Sequence, residues 1–218
     1  GPPPGGGGGG GGARGGGGPR GGSPPCGGQR PRRLRRAGRL GAFLAATFAG
    51  ICLAMFFRQE SLVFFPDSRV AAEPDAAGMP FERVTLRTAD GEAIAAWWIP
   101  ADRARGAVVL AHGNAGNISH RLDKAALFRS LRLSALLFDY RGYGESSGKP
   151  SEAGTYLDMA AAAEHAAVTR AVPPDRLVYF GESLGGAVAV DAARRARPAG
   201  LVLEHSNQAV GNSGKRSR

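Results

Sequence analysis

Residues 177–186 read LVYF followed by GESLGG: four apolar residues, Leu177 to Phe180, then Gly181-Glu182-Ser183-Leu184-Gly185-Gly186. A short, continuous apolar run that ends in glycine is the pattern of a strand buried on both faces. From Leu184 to Ala196 the pattern becomes that of a helix. The G-x-S-x-G therefore stands at a strand-to-helix junction, the context that gives this pattern its meaning. A serine there is lifted clear of the sheet on a sharp turn. A Cβ at Gly181 or Gly185 would collide with the neighbouring strand or helix. Ser183 is thus the candidate nucleophile, and the backbone N–H of Leu184 is placed beside any carbonyl it attacks.

Working outward, the same alternation continues in both directions. Upstream, Ala107 to Ala111 (AVVLA) and Ser134 to Phe138 (SALLF) are buried-strand runs; downstream, Gly200 to Leu203 (GLVL) is another. Helical patterns separate them. Arg121 to Leu131 points Leu127, Phe128 and Leu131 at a core, and Ser151 to Val168 places Leu157, Ala160 and Ala161 on one face. Before this region Val84 and Leu86, then Ile94, Ala96 and Trp98, alternate around Asp90-Gly91, the signature of an antiparallel hairpin. Alternating strands and helices predict an α/β domain, with parallel strands joined by right-handed crossovers. Ligands of such sheets bind at the carboxyl ends of the strands.

The unusual residues fall at those ends. After AVVLA comes His112-Gly113-Asn114-Ala115-Gly116-Asn117. His112 reads as a buried brace for this loop and not as a proton shuttle. After SALLF comes Asp139-Tyr140-Arg141, where Asp139 and Arg141 are expected to hydrogen-bond the loop backbone and to pair with each other.

Taken in order, HGNAGNISHR (112–121), FDYRGYGESSGKPSEAGTYLD (138–158) and GESLGG (181–186) resemble the membrane-anchored α/β-hydrolases with a serine-aminopeptidase-like domain. The likeness runs from about Phe57 to Glu204. It implies an α/β-hydrolase fold, partial in this chain. It also implies Ser183 as nucleophile, N–H groups of Asn114 and Leu184 as oxyanion donors, and His112, Gly113, Gly181 and Gly185 as the supporting loops. The resemblance further implies an N-terminal anchor and acyl ester or thioester substrates, with no cofactor and no metal. The alternative is a non-catalytic, membrane-anchored binding protein on a degenerate hydrolase fold.

The family's triad order is Ser, then Asp or Glu, then His. Only 35 residues follow Ser183, and the stretch from 205 to 218, HSNQAVGNSGKRSR, has no apolar periodicity. His205 is the single histidine there, and it adjoins Glu204. Neighbours on a strand point to opposite faces, which places the two poorly for a relay. The reading is of a C-terminally truncated hydrolase, 58–204, with a polar tail at 205–218. This form is expected to be inactive, with its last strand a bare apolar edge.

Leu40 to Phe57 (LGAFLAATFAGICLAMFF) carries no charge and is close to the ~20 residues needed to cross a bilayer. Arginines crowd its N-terminal side, which predicts a single-pass anchor, N-terminus cytoplasmic and hydrolase domain across the membrane. A cleaved signal peptide and a buried core helix are the alternatives. Residues 1–39, rich in Gly, Pro and Arg, have little to bury and read as disordered. Eight arginines between Arg14 and Arg39, with Lys215, Arg216 and Arg218, account for the net charge of +10 and leave the body near neutral. The Arg-Gly segments (Arg14-Gly15, Arg20-Gly21) lack aromatic residues to stack on bases, which argues against nucleic-acid binding. The two cysteines, Cys26 and Cys52, have no metal-site spacing.

Overall fold

The structure is a computed structural model and describes Gly18 and residues 30–205. The readings of the Gly/Pro-rich segment, Cys26 and the tail after His205 fall outside the described residues. Helix α1 is Arg30–Val63. The strands and helices that follow are β1 (Phe65–Pro66), β2 (Glu82–Arg87), β3 (Ala93–Ile99), β4 (Gly106–Ala111), β5 (Ala115–Gly116), α2 (Leu122–Ser130), β6 (Leu133–Phe138), α3 (Glu152–Glu164), β7 (Leu177–Glu182), α4 (Leu184–Ala196) and β8 (Gly200–Glu204).

Six of the strands form one sheet in the order β2-β3-β6-β4-β7-β8. β6, β4, β7 and β8 are parallel, while β2 and β3 form the antiparallel hairpin, with Arg87 opposite Ala93. From β4 the chain moves to β6 on one side, then returns past β4 to β7 on the other. The connection reverses at β4, so the loops leaving β4 and β7 bound a crevice at the carboxyl edge.

Both faces of the sheet are covered, which is why its central strands read as unbroken apolar runs. Along β4, Ala107, Val109 and Ala111 join one core with Met159, Ala162, Val188 and Ala189 of α3 and α4. Val108 and Leu110 join the other with Ile118, Ala125 and Phe128 around α2. The expected face of Ile94, Ala96 and Trp98 packs in the first core. Trp97 and Ile99 on the opposite face are buried in the second.

Two helix-face readings and one pairing are corrected. On α2 only Phe128 of the expected trio is buried; Leu127 and Leu131 are 55% and 46% exposed. The stripe facing the sheet runs through Ile118, Leu122, Ala125 and Phe128, and Leu127 and Leu131 lie off it. On α3, Ala160 is exposed and Leu157 half-buried, while Thr155, Asp158, Met159 and Ala162 are buried. The face is turned there by a buried charge, Asp158, which apolar periodicity does not register. Asp139 and Arg141 do not pair with each other. Arg141 donates from Nε and Nη2 to Asp158 Oδ1 (3.1 and 2.9 Å) and from Nη1 to Asp90 Oδ2 (2.7 Å). Asp139 instead accepts from the Ile118 N–H at 2.8 Å. Two residues apart at the end of a strand, they leave for different elements.

Helix α1 extends beyond both ends of the apolar run. It is the one helix among the described residues long and apolar enough to cross a membrane. Leu40, Phe43, Leu44, Phe48, Phe56 and Phe57 are all exposed on it. β8 is an edge strand of the described sheet, with Leu201, Val202 and Leu203 exposed.

Candidate active site

β7 ends at Glu182, α4 begins at Leu184, and Ser183 turns between them with φ 51° and ψ −111°. A side chain other than glycine rarely occupies that region, and holding it there costs on the order of 1–3 kcal/mol. Two glycines make the turn possible. A Cβ on Gly181 would overlap the Gly185 carbonyl and stand 2.6 Å from Gly186 Cα. A Cβ on Gly185 would overlap the Ala111 carbonyl and stand 2.7 Å from that of His112. The first turn of α4 is thereby seated on the start of the loop after β4. Gly186 has open room, its nearest neighbour being Leu203 Cδ2 at 3.8 Å. Gly185→Ala is expected to cost about 3 kcal/mol or more, because only backbone stands in the way. Gly186→Ala is expected to gain about 0.5–1 kcal/mol from helix propensity. Thermal melts of the two variants in detergent check the contrast; equal shifts would contradict the packing.

β4 and β7 are neighbours with Ala111 opposite Gly181, so the two loops leave the sheet side by side. His112 is fully buried. Its Nδ1 lies 2.7 Å from the Gly113 carbonyl and its Nε2 3.4 Å from Asp139 Oδ1. The rings of Tyr140 and Tyr143 pack on it at 4.5 and 5.3 Å, and Tyr140 Oη donates to the His112 carbonyl at 2.9 Å. At Gly113 a Cβ would meet only ordinary contacts at 3.5 Å, so no close approach demands glycine there. The Asn114 carbonyl accepts from Phe65 N–H (3.0 Å) and Tyr143 Oη (2.8 Å), and its side-chain amide donates to the Val63 carbonyl (3.0 Å). Neither the Asn114 N–H nor the Leu184 N–H meets an acceptor among the described residues.

Burial pushes the Tyr143 phenol up to about 12. Tyr140 is raised by the same cause. A group bound more tightly to its proton when folded adds stability that is whole below its unfolded pKa, here near 10. That stability is lost as pH rises through the folded value. The domain is expected to melt progressively lower between pH 10 and about 12, a decline that Tyr143→Phe should lessen. Melting curves across that window test it.

Sequence reasoning missed three parts of this site. Arg121 makes a two-pronged pair with Glu182, Nε to Oε2 at 3.0 Å and Nη2 to Oε1 at 3.2 Å, and also donates to the Ala115 carbonyl at 3.2 Å. It ties the serine turn to the loop after β4. The signal was one acidic residue, Glu182, in the serine motif and one arginine, Arg121, ending the motif after β4. Asn117, fully buried, donates to the Asp67 and Arg69 carbonyls at 2.9 and 2.8 Å, fixing the segment after α1. β1 pairs in parallel with β5, which carries that segment onto the same loop. Among the described residues no imidazole hydrogen-bonds Ser183 Oγ. Glu204 and His205 line the same open cleft as Ser183, and the Glu204 carboxylate pairs with Lys124 at 2.5 Å.

Residues 106–205 match the family model described as the alpha/beta hydrolase fold. An uncharacterised protein of Mycobacterium tuberculosis is 38% identical over 164 residues, 74% of this chain and 58% of the relative. An uncharacterised membrane protein of Saccharomyces cerevisiae is 33% identical over 175 residues, 77% of this chain and 61% of the relative. The chain thus spans about three fifths of the length of these relatives. Among solved structures, an esterase of Pyrococcus furiosus superposes with a TM-score of 0.56 at 20% identity, over 66% of this chain and 56% of that one. Sheet order, the strained turn after β7 and the matching family model agree that residues 106–205 of this chain have the α/β-hydrolase fold.

Proposed function

We propose that this domain is the nucleophile-bearing part of a serine hydrolase of acyl esters or thioesters, tethered to a membrane by residues 40–57. The observation that carries the reading is the backbone of Ser183, held at φ 51° at the start of α4 by two glycines that no larger residue can replace without a clash. Such strain persists where surrounding structure maintains it, and it clusters at active sites. The similar Pyrococcus furiosus protein is named an esterase.

In the mechanism, Ser183 Oγ attacks the acyl carbonyl and its proton passes to a base. The unpaired N–H groups of Leu184 and Asn114 take the developing oxyanion, each contributing about 3–4 kcal/mol. The alcohol or thiol leaves, and water releases the acyl group from Ser183. His112 and Gly113 hold the donor loop, and Gly181 and Gly185 hold the serine turn. The arginines before Leu40 keep the N-terminus cytoplasmic, with the hydrolase domain across the membrane.

The second reading is a membrane-anchored binding protein on the same fold. A chimera of residues 1–204 continued by the C-terminal portion of the mycobacterial relative separates the two. It is expected to hydrolyse p-nitrophenyl esters and to form a fluorophosphonate adduct on the Ser183 peptide, whereas the 218-residue chain alone does neither. A folded chimera that does neither leaves the binding reading in place.

A further inference from the structure

A cavity of about 250 Å³ lies at the foot of α1. Its walls come from three places: Val63 and Phe64 at the end of α1 and just after it, Thr155 and Tyr156 early in α3, and Leu184 and Val188 in the first turns of α4. Leu184 thus turns its side chain into the cavity one residue from Ser183. Tyr156 and Ala187 are shared walls, since both also line the open cleft that holds Ser183. Asn114, whose carbonyl and side chain bind Phe65 and Val63, fixes this end of the chain against the donor loop.

We propose that this cavity is the acyl-chain site for an uncharged lipid ester taken directly from the membrane. The proposal rests on the serine-hydrolase reading and on the membrane reading of residues 40–57. Three observations select that occupant. The volume lies below the roughly 300–1,000 Å³ of most small-molecule pockets, which suits a single chain. The apolar run of α1 ends at Phe57, and the helix continues six residues to Val63, about 9 Å at 1.5 Å per residue. The cavity wall at Val63 therefore follows the end of that run by about one headgroup layer along the helix. Glu60 and Glu152, both exposed, line the same cavity, and no Lys or Arg is among its lining residues. Two carboxylates repel a fatty-acid anion and leave a neutral ester unopposed.

The test uses the 218-residue chain in phosphatidylcholine vesicles with a monoacylglycerol that carries a photoreactive diazirine in its acyl chain. Crosslinked peptides are mapped by mass spectrometry. Crosslinks to the helix segment 40–57 report only the bilayer; those to Tyr156, Leu184 and Val188 report the cavity. The cavity crosslinks are expected to be competed by unlabelled monoacylglycerol and not by palmitate or a short soluble ester. Val63→Asp and Ala187→Trp change exposed positions and leave the core intact. Each is expected to lower the cavity crosslinks about tenfold, the effect of roughly 1.4 kcal/mol, with the 40–57 crosslinks unchanged. Absence of cavity crosslinks, or their persistence in both variants, overturns the site. Equal competition by palmitate or by the short ester overturns the ligand class. The readout needs no chemistry at Ser183, so an inert chimera would remove the hydrolase reading and leave the lipid site standing, and the reverse outcome is equally distinguishable.

Discussion

Ser183→Ala in the chimera is expected to lower ester turnover by about 10⁶-fold while moving the melting temperature by less than about 2 °C. The two effects separate because the hydroxyl contributes to chemistry and little to packing. Ser183 Oγ has no hydrogen-bond partner among the described residues, and Ser183 is exposed. Alanine keeps the Cβ, and with it the strain of φ 51°. Ser183→Gly removes both hydroxyl and strain. It is expected to be equally inert and about 1 kcal/mol more stable than the parent. The pair of variants therefore distinguishes a serine held in strain for reaction from a serine that merely caps a helix. Turnover is measured with a short p-nitrophenyl ester and stability by thermal melting. Residual turnover near the parent level in both variants would place the nucleophile elsewhere.

Asp158→Ala is expected to destabilise the domain by about 3–5 kcal/mol, because it leaves a buried guanidinium without its main partner. Arg141 is 6% exposed and Asp158 fully buried. The same carboxylate accepts the Arg141 backbone N–H at 2.9 Å, so one deletion orphans main chain and side chain together. Asp90→Ala removes the other partner of Arg141, yet it is expected to lower the melting temperature far less than Asp158→Ala does, since Asp90 is solvated and its pairing is screened. The two acids respond oppositely to one cation. Burial pushes the Asp158 carboxyl up against the pull of Arg141, whereas the hydrogen bonds of Arg141 hold exposed Asp90 well below its ordinary value. For Asp90 the sign is that of a depressed acid: its contribution is present above about pH 4 and lost as pH falls further. Comparable losses in the two variants would mean that Arg141 is not buried as described.

The strands at Ala107–Ala111, Ser134–Phe138 and Leu177–Phe180 were legible because each is short, almost wholly apolar and punctuated by glycine or a charged residue. The helix from Leu184 to Ala196 was legible to the residue. The steric role of Gly181 and Gly185 was also legible, since the turn demands it wherever a strand feeds a helix through Ser183. The faces of α2 and α3 were misread at Leu127, Leu131 and Ala160. Periodicity names an apolar stripe, but the position of the sheet decides which stripe is covered, and a paired charge such as Asp158 can occupy it. Arg121 and Glu182 are 61 residues apart, Asn114 and Val63 are 51 apart, and Lys124 and Glu204 are 80 apart. No local pattern relates such residues.

The sequence by itself determined the alternation of strand and helix, the serine turn with its two obligatory glycines, and an apolar helix of membrane-crossing length. These follow from backbone sterics and from solvent exclusion, which act over a few neighbouring residues. Tertiary structure alone decided that Arg141 binds Asp158 and Asp90, that Arg121 locks the serine turn to the loop after β4, and that the end of α1 walls a cavity beside Ser183. Those contacts depend on the strand order β6-β4-β7 and on the parallel pairing of β1 with β5. The order in which strands pair is set by the packing of the whole domain.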